Sequence, residues 1–212
     1  MDFIHPLANE YAAQYSNATP SYLKEVYDNT LATHPHADMQ SSWTQGGFLS
    51  LISKLLQPKY ILELGTFSGF SAMCLAEGLV NDGQLHTLEL REPDGINAQN
   101  NINQSPHKDK IKIHIGDAIE TLQHLTAPWD IVFIDADKVN YGKYYQMIFP
   151  FVKKNGLIIA DNVLFHGEVF SETLKGKNAK AIHAFNEMIV SDQLADTVLL
   201  TVRDGLSLIR KK

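Results

Sequence analysis

Cysteine is almost missing from this chain of 212 residues: Cys74 stands alone, so no internal disulfide can form and no thiolate zinc site can be built. No apolar run approaches the roughly 18 or more residues of a membrane span, which excludes a membrane-embedded role. Positive charge is scarce too. Lys and Arg number 18 against 24 Asp and Glu, a net charge of -6, the wrong sign for a chain whose main task is gripping phosphate backbones, so nucleic acid is not the expected partner. The start, Met1-Asp2-Phe3-Ile4-His5-Pro6, lacks a basic segment followed by an apolar core, so no secretory leader is expected. Internal repeats, low-complexity segments and linkers are absent as well. The remainder is ordinary: 44% hydrophobic and 20% charged residues fit a globular, cytoplasmic protein with one domain over residues 1–212.

Two textures divide the chain. Residues 1–57 carry helical spacing, as in Leu23, Val26, Tyr27 and again in Phe48, Leu49, Leu51, Ile52, Leu55, with Pro20-Ser21 reading as a helix start. From residue 58 short apolar runs alternate with amphipathic stretches. The runs are Tyr60–Leu64, Gln84–Glu89, Ile111–Ile115, Ile131–Ile134 and Gly156–Ala160, most of them near-continuously hydrophobic as in parallel strands buried on both faces. A helix is expected around Ala179–Val190. Then Thr197–Thr201 and Leu206–Ile209 flank Asp204-Gly205, which reads as an antiparallel hairpin. The expected fold is α/β: a Rossmann-like, doubly wound, mostly parallel sheet of seven strands with an antiparallel C-terminal edge hairpin and a helical N-terminal cap.

The first run leads into Gly65-Thr66-Phe67-Ser68-Gly69 and then a helical stretch. Glycines at this spacing allow a sharp turn and close approach of a ligand to free helix N–H groups. The spacing differs from the Gly-x-Gly-x-x-Gly of pyrophosphate-binding turns, which argues against a nicotinamide enzyme. Glu63, just before the turn, suits a ligand with an ammonium or a sulfonium. Glu89 lies 20 residues after Gly69, at the end of the next strand, where a carboxylate can accept from two ribose hydroxyls. Asp117, after the third strand, is in position to reach an adenine edge. Three acidic residues at three successive strand ends point to a nucleoside-bearing cofactor.

The fourth and fifth strands end in Asp135-Ala136-Asp137-Lys138 and Asp161-Asn162. If these strands are neighbours, Asp135, Asp161 and Asn162 present three hard oxygen donors at tips about 5 Å apart, a set suited to Mg²⁺ rather than zinc. Asp137 can cap the helix that follows. Lys138 beside a cation and partly shielded from water is expected to have a lowered pKa, as a general base should. Elsewhere the bland readings hold: His34-Pro35-His36 as loop polarity, Cys74 as packing, Trp129 as a strand start, Trp43 in the cap or over the cofactor.

The pattern resembles the cation-dependent S-adenosylmethionine O-methyltransferases, the caffeoyl-coenzyme A and catechol type. The resemblance rests on Met39-Gln40-Ser41-Ser42, Leu62–Ser71, Ile134–Tyr141, Asp161–Leu164 and Asp204-Gly205. It implies Asp135, Asp161 and Asn162 as ligands of Mg²⁺ (or Mn²⁺ or Ca²⁺), and Lys138 as the catalytic base. It places Glu63, Gly65 and Ser71 at the methionine moiety, Glu89 at the ribose, Asp117 and Ala118 at the adenine, and Met39 and Ser41 over the cofactor, with Asp135 counted among the cofactor contacts too. It also implies a homodimer. Many members have an acidic residue at the position of Gln45, Gln at that of Gly47, and Trp at that of Phe165, followed here by His166, so the acceptor pocket departs from the pattern. A cation chelated by two adjacent oxygens calls for a phenolic, catechol-like (vicinal dihydroxy) small molecule. The alternative is a tRNA hydroxyuridine O-methyltransferase on the same fold, with Lys175, Lys177 and Lys180 as a local basic patch.

Overall fold

The computed structural model describes residues 4–212. The first three residues, part of the stretch read as lacking a leader, lie outside the described residues. Helices α1 (Pro6–Gln14), α2 (Lys24–Thr33) and α3 (Trp43–Leu56) make up the N-terminal part. Strands β1 (Tyr60–Leu64), β2 (Gln84–Glu89), β3 (Ile111–Ile115), β4 (Trp129–Ile134) and β5 (Val152–Asp161) alternate with α4 (Phe70–Ala76), α5 (Glu92–Ile102), α6 (Ala118–Leu122) and α7 (Tyr141–Ile148). Helix α8 (Lys177–Ser191) leads to β6 (Ala195–Leu200) and β7 (Leu206–Lys211).

The seven strands form one sheet in the order β3-β2-β1-β4-β5-β7-β6, with β1 to β5 parallel and β7 antiparallel to both β5 and β6. The central strands read as unbroken hydrophobic runs because successive side chains feed opposite faces and both faces are covered. Val132 and Ile134 pack with α7 and α8 on one side, while Ile131 and Phe133 pack with α3 and α4 on the other. In β5, Ile158 and Ala160 join the first core and Ile159 the second. Strand order reverses between β1 and β4, and a crevice therefore opens at their C-terminal ends, the usual ligand position in such sheets.

In the N-terminal part, Ser42 caps α3 by accepting from the Gln45 N–H at 3.2 Å. Trp43 and Tyr27 pack on Phe70 of α4, which fastens the cap to the first strand-helix unit. Cys74 is fully buried in the same core. Among the described residues no helix is long and apolar enough to cross a membrane.

The hairpin forms as expected, with a turn over residues 202–205 that Gly205 N–H closes by donating to Val202 O at 2.9 Å. Five residues, 201–205, join the strands, and Asp204-Gly205 also serves the neighbouring loop. The Asp204 carbonyl accepts from Leu164 N–H at 2.8 Å, and its carboxylate accepts from His166 N–H at 2.6 Å. Gly205, at φ +87°, lies so close to Leu164 that a Cβ would fall 2.5 Å from its Cγ. The tail thus clamps the loop that follows β5.

Candidate active site

The crevice holds a cavity of about 420 Å³ whose wall is built from five strand ends and the cap. Gly65 is the tightest point. At φ +98°, its ideal Cβ would lie 2.2 Å from the Asp135 carbonyl oxygen, so only glycine lets β1 and β4 stay this close here. The ladder continues across the turn: Asp135 N–H donates to Leu64 O and Gly65 N–H to Leu88 O. Phe67, also in the left-handed region at φ +50°, is held by its N–H, which donates to Glu89 Oε2 at 2.8 Å. Glu89 Oε1 accepts from Arg91 N–H at 2.9 Å, so one buried carboxylate fixes the turn and still faces the cavity.

Met39 and Ser41 from the cap, Gly65 and Ser71 from the turn and helix, Glu89, Asp117 with Ala118, and Asp135 all line this cavity. Asp117 has a structural task as well: its Oδ1 caps α6, accepting from Ile119 N–H at 2.7 Å and Glu120 N–H at 3.1 Å. Glu63 is the exception. It lies fully buried behind the turn, away from the cavity wall, and accepts from Ser71 Oγ at 2.7 Å and Thr87 Oγ1 at 2.5 Å. Burial outweighs those two hydrogen bonds and pushes its carboxyl up to about 8. It supports Ser71 from below.

Strands β4 and β5 are neighbours in register, Ile134 opposite Ala160, which brings Asp135, Asp161 and Asn162 to adjacent tips on the cavity wall. Tyr141 locks the tips together. Its buried hydroxyl lies 3.2 Å from the Ile134 carbonyl and 3.0 Å from the Asp161 carbonyl and accepts from Lys138 Nζ at 2.8 Å. Asn162 sits at φ +57° with its Nδ2 donating to Asp204 Oδ2 at 3.3 Å, so its amide oxygen is the end left for a ligand. Burial first, and then the Asp135 charge, push the Asp161 carboxyl up to about 6. Two neighbouring carboxylates, joined by one carboxamide oxygen, are a hard, oxygen-only donor set, and these residues fit a divalent cation such as Mg²⁺. Among the described residues no group of three or more His, Cys, Asp or Glu side chains forms a metal centre. Only two members of this donor set belong to those residue types.

Lys138 lines the cavity and donates to Asp135 Oδ1 at 2.8 Å. The expectation of a lowered pKa is not met. Burial acts downward, but the Asp135 carboxylate and the Tyr141 hydroxyl outweigh it and hold the ammonium well above the usual lysine range. The expected lowering supposes a cation's charge beside Lys138, whereas here the Asp135 charge falls on it. Asp137 does not cap by a side-chain bond either; it accepts from the Tyr144 hydroxyl and from Asn140 Nδ2.

Arg203 lines the cavity and escaped the sequence reasoning. Gln45 is buried and donates Nε2 to Asp161 Oδ2 at 2.8 Å, and Arg203 Nη1 donates to Gln45 Oε1 at 2.8 Å. Arg203 gave no signal and Gln45 only a departure from the family pattern, because their contacts arise from a cap and a hairpin meeting at the end of β5. His34 was read as loop polarity. It pairs with Asp94 Oδ1 at 3.1 Å and lies edge-on to Phe67, tying the cap to α5 beside the cavity.

The model of the O-methyltransferase family matches residues 13–212. A catechol O-methyltransferase of Niastella koreensis is 34% identical over 189 residues, covering 85% of this chain and 86% of that protein. Caffeoyl-CoA O-methyltransferase 1 of Eucalyptus globulus is 30% identical over 203 residues, covering 91% and 82%. The crystal structure of the Podospora anserina methyltransferase PaMTH1, bound to S-adenosylhomocysteine, superposes with a TM-score of 0.89 at 29% identity, covering 97% of this chain and 94% of that one. With a doubly wound sheet, a glycine turn at its switch point and acidic residues on the tips beside it, the chain belongs to this family and is a class I, Rossmann-like O-methyltransferase.

Proposed function

We propose that the enzyme transfers a methyl group from S-adenosylmethionine to a hydroxyl of a catechol-like acceptor, and that it requires a divalent cation. The observation that carries this reading is the convergence of Asp135, Asp161 and Asn162 on the wall of the same cavity that Glu89 and the glycine turn enter. S-adenosylhomocysteine in PaMTH1 and the catechol and caffeoyl-CoA names of the relatives support it.

S-adenosylmethionine supplies a methyl made electrophilic by its sulfonium. Glu89, anchored by two backbone N–H groups, offers its remaining lone pairs to the ribose hydroxyls, and Gly65 and Ser71 border the methionine portion. Asp135, Asp161 and the Asn162 amide oxygen hold the cation, which supplies the Lewis acidity needed to make a nucleophile of a phenol with a pKa of about 10. Lys138 is the proton acceptor in this reading, provided that a cation held at Asp135 would offset the carboxylate charge that otherwise keeps its ammonium protonated; it stands 2.8 Å from Asp135. Phenolate and sulfonium become neutral ether and thioether, so alignment in a pocket shielded from water matters more than added charge, and can contribute about 7–11 kcal/mol.

The test is radiolabelled methyl transfer to catechol and 4-methylcatechol. Activity should vanish in EDTA and return with Mg²⁺. Full activity in chelator contradicts the cation requirement, and failure with every vicinal diol contradicts the acceptor class.

A further inference from the structure

The turn between β6 and β7 brings one guanidinium to the cation end of the cavity. Arg203 lines the wall and donates Nη1 to Gln45 Oε1 at 2.8 Å and to the Gln40 carbonyl at 3.3 Å. Gln45 in turn donates to Asp161 Oδ2 at 2.8 Å. A carboxamide spans about 2.3 Å from oxygen to nitrogen. The Arg203 Nη1 therefore lies no more than about 8 Å from a proposed cation ligand, a separation comparable with one substituted benzene ring.

The charge of this arginine is felt by Asp161 through Gln45 but is not neutralised by a direct partner. Among the described residues it forms no ion pair, and only Nη1 has a hydrogen-bond partner. Its two fixed partners are a carbonyl and a carboxamide, which orient the group without neutralising it. The adjacent Asp204 is occupied elsewhere, accepting from His166 N–H and Asn162 Nδ2. The other Lys and Arg side chains on this wall are already paired, Lys138 with Asp135 and Arg91 with Asp94. Arg203 also stands at φ +49°, a left-handed conformation that disfavours any side chain and that the surrounding contacts must maintain. A strained, oriented, unpaired guanidinium beside the site where an acceptor binds is a ready partner for a planar anion, which it can bind through two parallel N–H groups.

We propose that Arg203 determines acceptor specificity, and that the acceptor is an acidic vicinal diol: a dihydroxylated aromatic ring that carries a carboxylate. The inference rests on the cavity being the acceptor site of a catechol-type methyltransferase and deepens that reading. The carboxylate meets the free N–H groups of Arg203 while the two hydroxyls face Asp135, Asp161 and Asn162. Truncating such a charged hydrogen bond costs on the order of 10- to 100-fold in affinity.

Calorimetric titration of the full chain with S-adenosylhomocysteine and Mg²⁺ tests this without turnover, with 3,4-dihydroxybenzoate against neutral 4-methylcatechol. The wild type should bind the acid at least about ten-fold tighter. In Arg203→Gln and Arg203→Gly that preference should collapse, with KM for the acid rising in parallel and affinity for the neutral diol changing little. Arg203→Gly also removes the backbone strain, so it should melt no lower than the wild type, which separates recognition from folding. Equal weakening of both diols would reduce Arg203 to a tether for Gln45 and overturn the proposal, as would a wild type indifferent to the carboxylate. If the neutral diol is methylated normally in those cases, the methyltransferase reading stands and only the role of Arg203 falls. If neither diol binds, both fail together.

Discussion

Replacing Gly65 by alanine should damage the protein through two separable effects, and Gly176→Ala isolates the first of them. Gly176, at φ +75° and ψ +155°, precedes α8 with nothing within 4 Å of a built Cβ, so alanine there suffers only a backbone conformation nearly confined to glycine, about 1–3 kcal/mol. Gly65, at φ +98°, suffers a positive φ as well, and its Cβ would lie 2.2 Å from the Asp135 carbonyl oxygen and 2.8 Å from the carbonyl carbon. Both atoms are backbone just past the end of the central strand β4, held by the Asp135 N–H bond to Leu64 O, and cannot swing aside. Overlap of this kind adds about 1–3 kcal/mol, and the rigidity of β4 places it at the upper end. Gly65→Ala should therefore lose roughly 3–6 kcal/mol, a fall in Tm of about 6–24 °C for a chain of this size, against about 2–12 °C for Gly176→Ala. Urea denaturation and thermal melts followed by circular dichroism measure both. The strand tips would be forced apart, so the surviving Gly65→Ala protein should also bind Mn²⁺ more weakly. Gly65→Ala no less stable than Gly176→Ala would refute the close approach of β1 and β4 as the reason for glycine.

Two further outcomes follow from buried ionisable groups. His86 lies half-buried 2.9 Å from the His114 ring, and burial together with the His114 and Lys112 charges pushes it down to about 4. The unfolded chain then holds the extra proton between about pH 6.5 and 4, so stability should fall as pH drops through that window, by about 1–2 kcal/mol once solvent screening is allowed for. His86→Gln should flatten this part of the pH–stability curve; an unchanged curve would remove His86 from the explanation. Glu63 and Glu89 should separate in cofactor binding: Glu89→Gln is expected to weaken S-adenosylmethionine binding by about ten-fold or more, and Glu63→Gln by less than about three-fold, measured by calorimetry. The reverse order would place Glu63 in the binding surface.

The sheet was legible in the sequence because its strands are hydrophobic on both faces: Ile131–Ile134 has no polar position to obscure its period, and the helices between the runs dictate parallel pairing. The acidic tips were legible because a charged side chain at the end of such a run has few other places to be. What the sequence could not give was depth and direction. Glu63 and Glu89 both belong to strands and differ only in whether the carboxylate faces the cavity, which depends on how the turn at Phe67 folds over them. Arg203 and Gln45 are separated by 157 intervening residues, and their meeting depends on the cap and the hairpin reaching the same end of β5. The Asp204-Gly205 pair carried a turn signal and closes that turn through Gly205 N–H, but nothing in the sequence showed that its carbonyls and carboxylate also hold the loop after Asn162. The Lys138 pKa failed for an electrostatic reason: its direction depends on how much of the Asp135 charge reaches it.

Manganese titration followed by electron paramagnetic resonance tests the metal-assisted account most directly. The wild-type chain should take up one Mn²⁺, and Asp161→Asn should weaken that uptake at least about ten-fold. A wild type that binds none, or an Asp161→Asn protein that binds as well, would contradict the assignment of the β4 and β5 tips as a cation site.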